Sequence, residues 1–358
     1  MRVGGAGSGV ELGSVDCIAA LPDGGVAVFD SRGLSGPALR VLDSHGVLRR
    51  SIGRQGAGPG EFGARGISGC LAARDDGSLL MLDYSNNRVN RWTANGEVLS
   101  SIPLPPGLGG PAPYLLAGPA QSVYIRVAVT RPRAGVGMDW SAYGFVRVAA
   151  DGKVLDTLPR PRSTGSNAPP RLFDPMEFIL PQADGRIVRS FSDRLAFDVW
   201  LPGATRAAIS AERPLPATRV LPAERSELEA GLAFWTAQTK GMVPNPGVAT
   251  TKSAFADMRV DLEGRLWFQR NVTAVKGAMV HPPGLPGQPA PPGQMYQVPP
   301  VFAAFDRSGA YLGEVRLPLR QAYLLNFTFA GDHVWGTFTD AEGVPVVVKW
   351  RIVGAGRR

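Results

Sequence analysis

Cysteine is nearly absent, with two in 358 residues. That excludes a disulfide scaffold and any zinc module built on several thiolates. Histidine is almost as scarce, at three: His45, His281 and His333. No apolar run approaches the roughly 18 residues a membrane-spanning helix needs, so no span is expected. Glycine (45) and proline (32) are plentiful but follow no G-X-Y period, which excludes collagen. A hydrophobic share of 44% argues against wholesale disorder. Lysine is rare too. Only Lys153, Lys240, Lys252, Lys276 and Lys349 are lysine, so the net charge, 38 − 30 = +8, is carried by arginine. Such a surplus draws anionic partners; a coding sequence rich in G and C produces it as well. The first thirteen residues, MRVGGAGSGVELG, lack the apolar core of a signal peptide. The chain as written is expected in the cytoplasm; a start placed too far downstream would make it periplasmic or extracellular.

What is present is a repeat. Residues 67–102 read as four short apolar strands, with Asp76-Gly77 and Asn95-Gly96 at two tight turns. Asp-Gly and Asn-Gly reach positive φ cheaply and suit hairpins. The first turn recurs at Asp23-Gly24, Asp184-Gly185 and Glu263-Gly264, in degenerate form at Ala120-Gln121, and reversed at Gly331-Asp332. The second recurs at His45-Gly46, Asp151-Gly152, Pro202-Gly203 and Ser308-Gly309. Six first hairpins and five second ones leave the last unit one strand short. The N-terminus supplies it: Arg2-Val3-Gly4 precedes a glycine-rich stretch just as Ser51-Ile52-Gly53 does. Radial four-stranded sheets closing on themselves protect their edges in this way. The expectation is an all-β, six-bladed β-propeller of four-stranded antiparallel blades. A single domain over 1–358 would hold blades near 14–52, 66–102, 114–158, 176–210, 254–317 and 322–353, the last closed by 1–4.

Residues 58–93, GPGEFGARGISGCLAARDDGSLLMLDYSNNRVNRWT, resemble an NHL repeat, with Asp83, Asn87, Arg88 and Val89 in the motif's last slots. Blade 1 carries it in part, as Asp30 and Arg40-Val41. The resemblance implies the bacterial six-bladed propeller group. Some NHL propellers are lyases with a His-bound zinc, but here the repeat sends His45 and His333 to one face and His281 to the other, so three histidines cannot converge.

Strand alternation puts both kinds of hairpin on one face. Long connections, 103–113, 129–143, 159–175, 211–253 and 271–298, crowd the other. Insertions confined to one face of a repeat array mark a binding face. Leu221–Lys240 reads as a helical insertion over about 222–240, with Pro222 at its start, Glu224, Glu227 and Glu229 near its positive end, and Leu228, Leu232 and Trp235 as a stripe that docks on the propeller rim. Residues 281–300 are proline-rich and read as an extended strap.

Two chemistries follow. Arg131, Arg133, Arg160, Arg162 and Arg171 lie in neighbouring long connections, with Trp140 and Phe173 nearby, and could hold carboxylate, phosphate or sulfate. The innermost strands carry Asp16, Glu177, Asp257 and Asn326, oxygen donors that could gather Ca²⁺ or Mg²⁺ as in the lactonase-type six-bladed propellers. Cys17 and Cys70 occupy equivalent inner-strand places, too far apart for a disulfide, and read as core. The first reading is therefore a monomeric, non-catalytic module that needs no cofactor. It binds a protein, glycan or other anionic ligand through the long-loop face. A metal-dependent hydrolase or lactonase at the channel mouth is the alternative. Single-stranded RNA binding comes third, with nucleic acid not favoured.

Overall fold

The turns fix the architecture of the computed structural model. The Asp of a hairpin accepts backbone N–H groups inside its own turn: Asp23 from Gly25 at 3.0 Å, Asp76 from Ser78 at 2.9 Å and Asp184 from Arg186 at 3.1 Å. The following glycines hold φ of 79°, 77° and 88°, where a side chain would be strained. Described are residues 1–4, 10–33, 36, 38–63, 71–105, 108, 114–128, 143–158, 170–241, 245–280, 289–318, 326–340 and 343–354.

Six four-stranded antiparallel blades result. From the axis outward, blade 1 is Val15–Ala20, Val26–Asp30, Ala38–Leu42 and Leu48–Ile52. Blade 2 is Leu71–Ala73, Leu79–Asp83, Arg88–Trp92 and Val98–Pro103. Blade 3 is Leu115–Ala117, Val123–Ala128, Tyr143–Val148 and Val154–Thr157. Blade 4 is Glu177–Pro181, Ile187–Phe191, Leu195–Trp200 and Ile209–Arg213. Blade 5 is Phe255–Val260, Leu266–Arg270, Val301–Phe305 and Tyr311–Arg316. Blade 6 is Asn326–Ala330, His333–Thr339 and Pro345–Arg351, closed by Arg2–Val3. The expected strand exchange is present: Arg2 pairs with Val348 and Val3 with Val347. Lys349 donates its N–H to the Met1 carbonyl at 3.0 Å, and Arg2 meets Asp340 at 2.7 Å.

Second strands lie between neighbouring blades on both faces, so they read as apolar runs rather than alternating ones. Val26–Asp30 and Leu79–Asp83 are buried at all five positions. Aromatic rings fill the spaces between blades, as where Trp267 stacks on Phe329 at 3.9 Å and 5°. Trp92, Trp267 and Trp335 are core, whereas Trp200 and Trp350 are half-buried.

Two local details add to the sequence reading. The helix, Pro222–Gln238, leaves Leu228, Leu232 and Trp235 half-buried, and its one buried residue is Glu224. It leans on a hairpin, Val275–Val280 with Gln294–Gln297, because Glu227 accepts the N–H groups of Met295 and Tyr296 at 2.9 Å each. The second is in blade 4. Pro202-Gly203 forms the expected tight turn, with the Ala204 N–H on the Leu201 carbonyl at 3.1 Å, but the connection between the strands is longer, residues 201–208.

Candidate functional site

The inner strands of all six blades surround a cavity of about 830 Å³ that reaches the first hairpins, with Asp16, Cys17, Tyr114, Gln182, Arg259 and Asn326 among its walls. That volume suits a small ligand. Cys70 lies outside the described residues.

The four oxygen donors expected on the inner strands are not gathered. Asn326 and Asp16 approach each other, but through the Asn326 amide nitrogen, which donates to the Asp16 carbonyl at 3.2 Å. The buried Glu177 carboxylate accepts from Arg189 at 2.7 and 3.2 Å. Asp257 accepts from Arg259 at 2.7 Å. Arg259 also donates to the Phe327 carbonyl at 2.6 Å and lies 3.8 Å over the Phe327 ring. Two of the four are thus matched by arginines of their own strand or blade. Among the described residues no group of three or more His, Cys, Asp or Glu could hold an ion.

Of the anion-binding candidates, Arg131, Arg133, Trp140, Arg160 and Arg162 lie outside the described residues. Arg171 is described, and its guanidinium is held by Asp174, at 3.0 Å. That bond raises the arginine's pKa above its ordinary value, through hydrogen bonding first and charge second. His45 and His333 sit at hairpin turns, and His281 is outside the described residues.

The long-loop face over blades 4 and 5 is locked by a pair that sequence reasoning missed. Lys252 Nζ lies 2.6 Å from Glu224 and donates to the Val272 carbonyl at 3.0 Å, with the Phe173 ring 5.1 Å away. The two side chains are 0% and 2% exposed. Glu224 also accepts the Leu221 N–H at 3.1 Å. Around this pair meet the connection into blade 4 (Leu172 and Phe173), the helical insertion and the root of the blade 5 hairpin; Leu172 N–H bonds to the Gly247 carbonyl and Ser253 N–H to that of Phe173. In the sequence Glu224 reads as a helix-terminus charge and Lys252 as a surface lysine. Its rarity was the signal: one of five lysines, in a chain that uses arginine everywhere else.

Arginines also bind the blades together. Arg74 of blade 2 donates to the Gly118 and Ser122 carbonyls of blade 3 at 3.0 and 2.6 Å. Burial depresses its pKa. Arg50 reaches the Asn95 carbonyl across blades 1 and 2, and Arg265 the Gly331 carbonyl across blades 5 and 6 at 2.7 Å. Lys349 closes the ring onto the Gly24 and Ser44 carbonyls at 3.1 and 3.0 Å. The motif residues of blade 2 do similar work. Asp83 accepts the N–H groups of Gly63 and Asn86, and Arg88 donates to the Ala57, Gly58 and Glu61 carbonyls. Together they pin the glycine-rich connection from blade 1.

No family model matches the chain, and no curated protein is similar in sequence. Solved structures similar in shape include a Bacteroides fragilis protein, at 12% identity over 99% of this chain and 94% of that one, with a TM-score of 0.49. Another is a member of the DUF4221 family from Bacteroides vulgatus, at 10% identity over 91% and 90%, TM-score 0.45. A third is regucalcin, a calcium-binding protein from Agrobacterium tumefaciens, at 15% identity over 94% and 89%, TM-score 0.37.

Proposed function

We propose that this chain is a non-catalytic binding propeller that presents its long-loop face to an anionic partner, with Arg131, Arg133, Arg160 and Arg162 as its cations and Trp140 beside them. The reading rests on one observation: Glu177 and Asp257, the channel carboxylates a metal-assisted hydrolase would need open, are engaged by Arg189 and Arg259. Charge supports the anionic partner. The chain carries +8, and Arg50 and Arg74 donate to neutral carbonyls, which do not compensate their charge. Arg171 contributes less, because Asp174 already matches it. The likeness of residues 58–93 to an NHL repeat makes single-stranded RNA one polymer worth testing.

The experiment is a titration with dextran sulfate and with oligouridylate, alongside Ca²⁺ and Mg²⁺. Polyanion binding should weaken as salt rises, since exposed charges are screened over about 8–10 Å near physiological ionic strength. Arg131→Ala with Arg160→Ala should lower affinity and leave the melting curve unchanged. A control pair, Arg194→Ala with Arg351→Ala, removes the same charge elsewhere. Equal binding by the two double variants would remove the assignment of the site; a thermal shift with Ca²⁺ alone would favour the channel instead.

A further inference from the structure

Four of the five second hairpins meet the rim of the preceding blade in the same way. Each turns on a glycine, and that glycine packs against the outer strand of the preceding blade. A Cβ on Gly46 would lie 2.5 Å from Val3, and one on Gly96 would lie 3.0 Å from Ile52. The same construction puts Gly152 2.6 Å from Pro103 and Gly309 2.9 Å from Ile209. Only glycine fits so close. Gly203 of blade 4 breaks the pattern, with nothing within 4 Å. Gly203 makes no such contact with the outer strand of blade 3.

That strand, Val154–Thr157 of blade 3, is exposed at all four residues. Val154 is 40% exposed, Leu155 46%, and Leu201 at the foot of the blade 4 hairpin 50%. Adjacent strand residues point to opposite faces, so Val154 and Leu155 make both sides of this edge apolar. Cations flank it. Lys153 precedes the strand and Arg206 lies in the blade 4 hairpin; both are exposed, with no ion-pair partner among the described residues. The one carboxylate in the strand, Asp156, is matched by Arg147 at 2.8 Å.

The geometry points to this edge as the docking site of an extended acidic peptide, which joins blade 3 as a fifth strand. Main-chain hydrogen bonds supply affinity, apolar side chains cover Val154, Leu155 and Leu201, and carboxylates meet the flanking cations. The inference rests on the anionic-partner reading and narrows it to a polypeptide.

The test measures anisotropy of dye-labelled peptides with the full chain. The probe is Glu-Glu-Val-Ile-Val-Glu-Glu, and its partner replaces the central Ile with Pro at equal charge. Proline cannot donate a ladder bond, so the second peptide should bind about tenfold more weakly. The variant Val154→Ser with Leu155→Ser should lose the parent peptide by a similar factor yet bind oligouridylate as the unaltered chain does. Leu99→Ser, equally exposed at 49% on the outer strand of blade 2, whose far end meets Gly152 at Pro103, should change nothing. If both peptides bind alike, charge alone holds them: this inference falls while the anionic reading stands. If oligouridylate binds and neither peptide does, the partner is RNA. If no anion binds, both readings fall.

Discussion

Replacing Glu224 by Ala isolates the buried pair on the long-loop face. Lys252 Nζ has two polar partners, the Glu224 carboxylate at 2.6 Å and the Val272 carbonyl at 3.0 Å, and its side chain is wholly enclosed. Without Glu224 a full positive charge remains buried against one carbonyl and the Phe173 ring. Breaking such a pair from one side costs about 3–5 kcal/mol, whereas replacing both members by apolar groups of similar size is near neutral. Glu224→Ala should therefore cost about 3–5 kcal/mol in urea unfolding, plus a smaller loss from the Leu221 N–H it leaves unsatisfied. Adding Lys252→Met should recover most of that loss. Hydrogen exchange should show where the damage falls: faster exchange in Pro222–Gln238 and Gln294–Gln297, with the inner strands unaffected. The reasoning fails if Glu224→Ala costs under about 1 kcal/mol, or if the double variant is no more stable than the single one.

Removal of Met1–Val3 should expose the edge of Pro345–Arg351, uncover Gly46, and lower the melting temperature; an unchanged melt would argue against the closure. Gly46→Ala should be more damaging than Gly203→Ala. Both sites hold positive φ, 77° and 73°, but only the first adds a clash, so equal costs would mean that the rim contact contributes nothing. Asp261 supplies a pH test. Burial raises its pKa above the ordinary 3.8, against the opposing bonds from Trp267 and Arg265. The folded state then holds this proton more tightly than the unfolded one. Its contribution is complete below pH 3.8 and is lost as pH rises through the folded value. The stability of the unaltered chain minus that of Asp261→Asn should thus shrink as pH rises from there, in paired melts; a widening difference would reverse the sign of the argument.

Local chemistry made the propeller legible. An Asp that bonds its own turn and a Gly at positive φ mark a hairpin wherever they recur, and counting them yields six blades and one missing strand. The closure followed from that count, since Arg2-Val3-Gly4 repeats Ser51-Ile52-Gly53. The helix was readable from Pro222 and its early acids, although its docking was not: Glu227 holds backbone N–H groups of a hairpin 68 residues away, and any segment offers those. Tertiary structure alone decided what the charges do. Glu177, Asp257 and Glu224 are acids of one kind in the sequence, yet each has its own cation in the fold, and Arg50 and Arg74 end on carbonyls of the next blade. A carbonyl carries no sequence signature, so an arginine that ties two blades together reads the same as one waiting for an anion. The exposed edge of blade 3 was hidden for the same reason. Pro202-Gly203 resembles the other turns in composition, and only the structure shows that Gly203 lacks the rim contact the other four make and that Val154–Thr157 is exposed throughout.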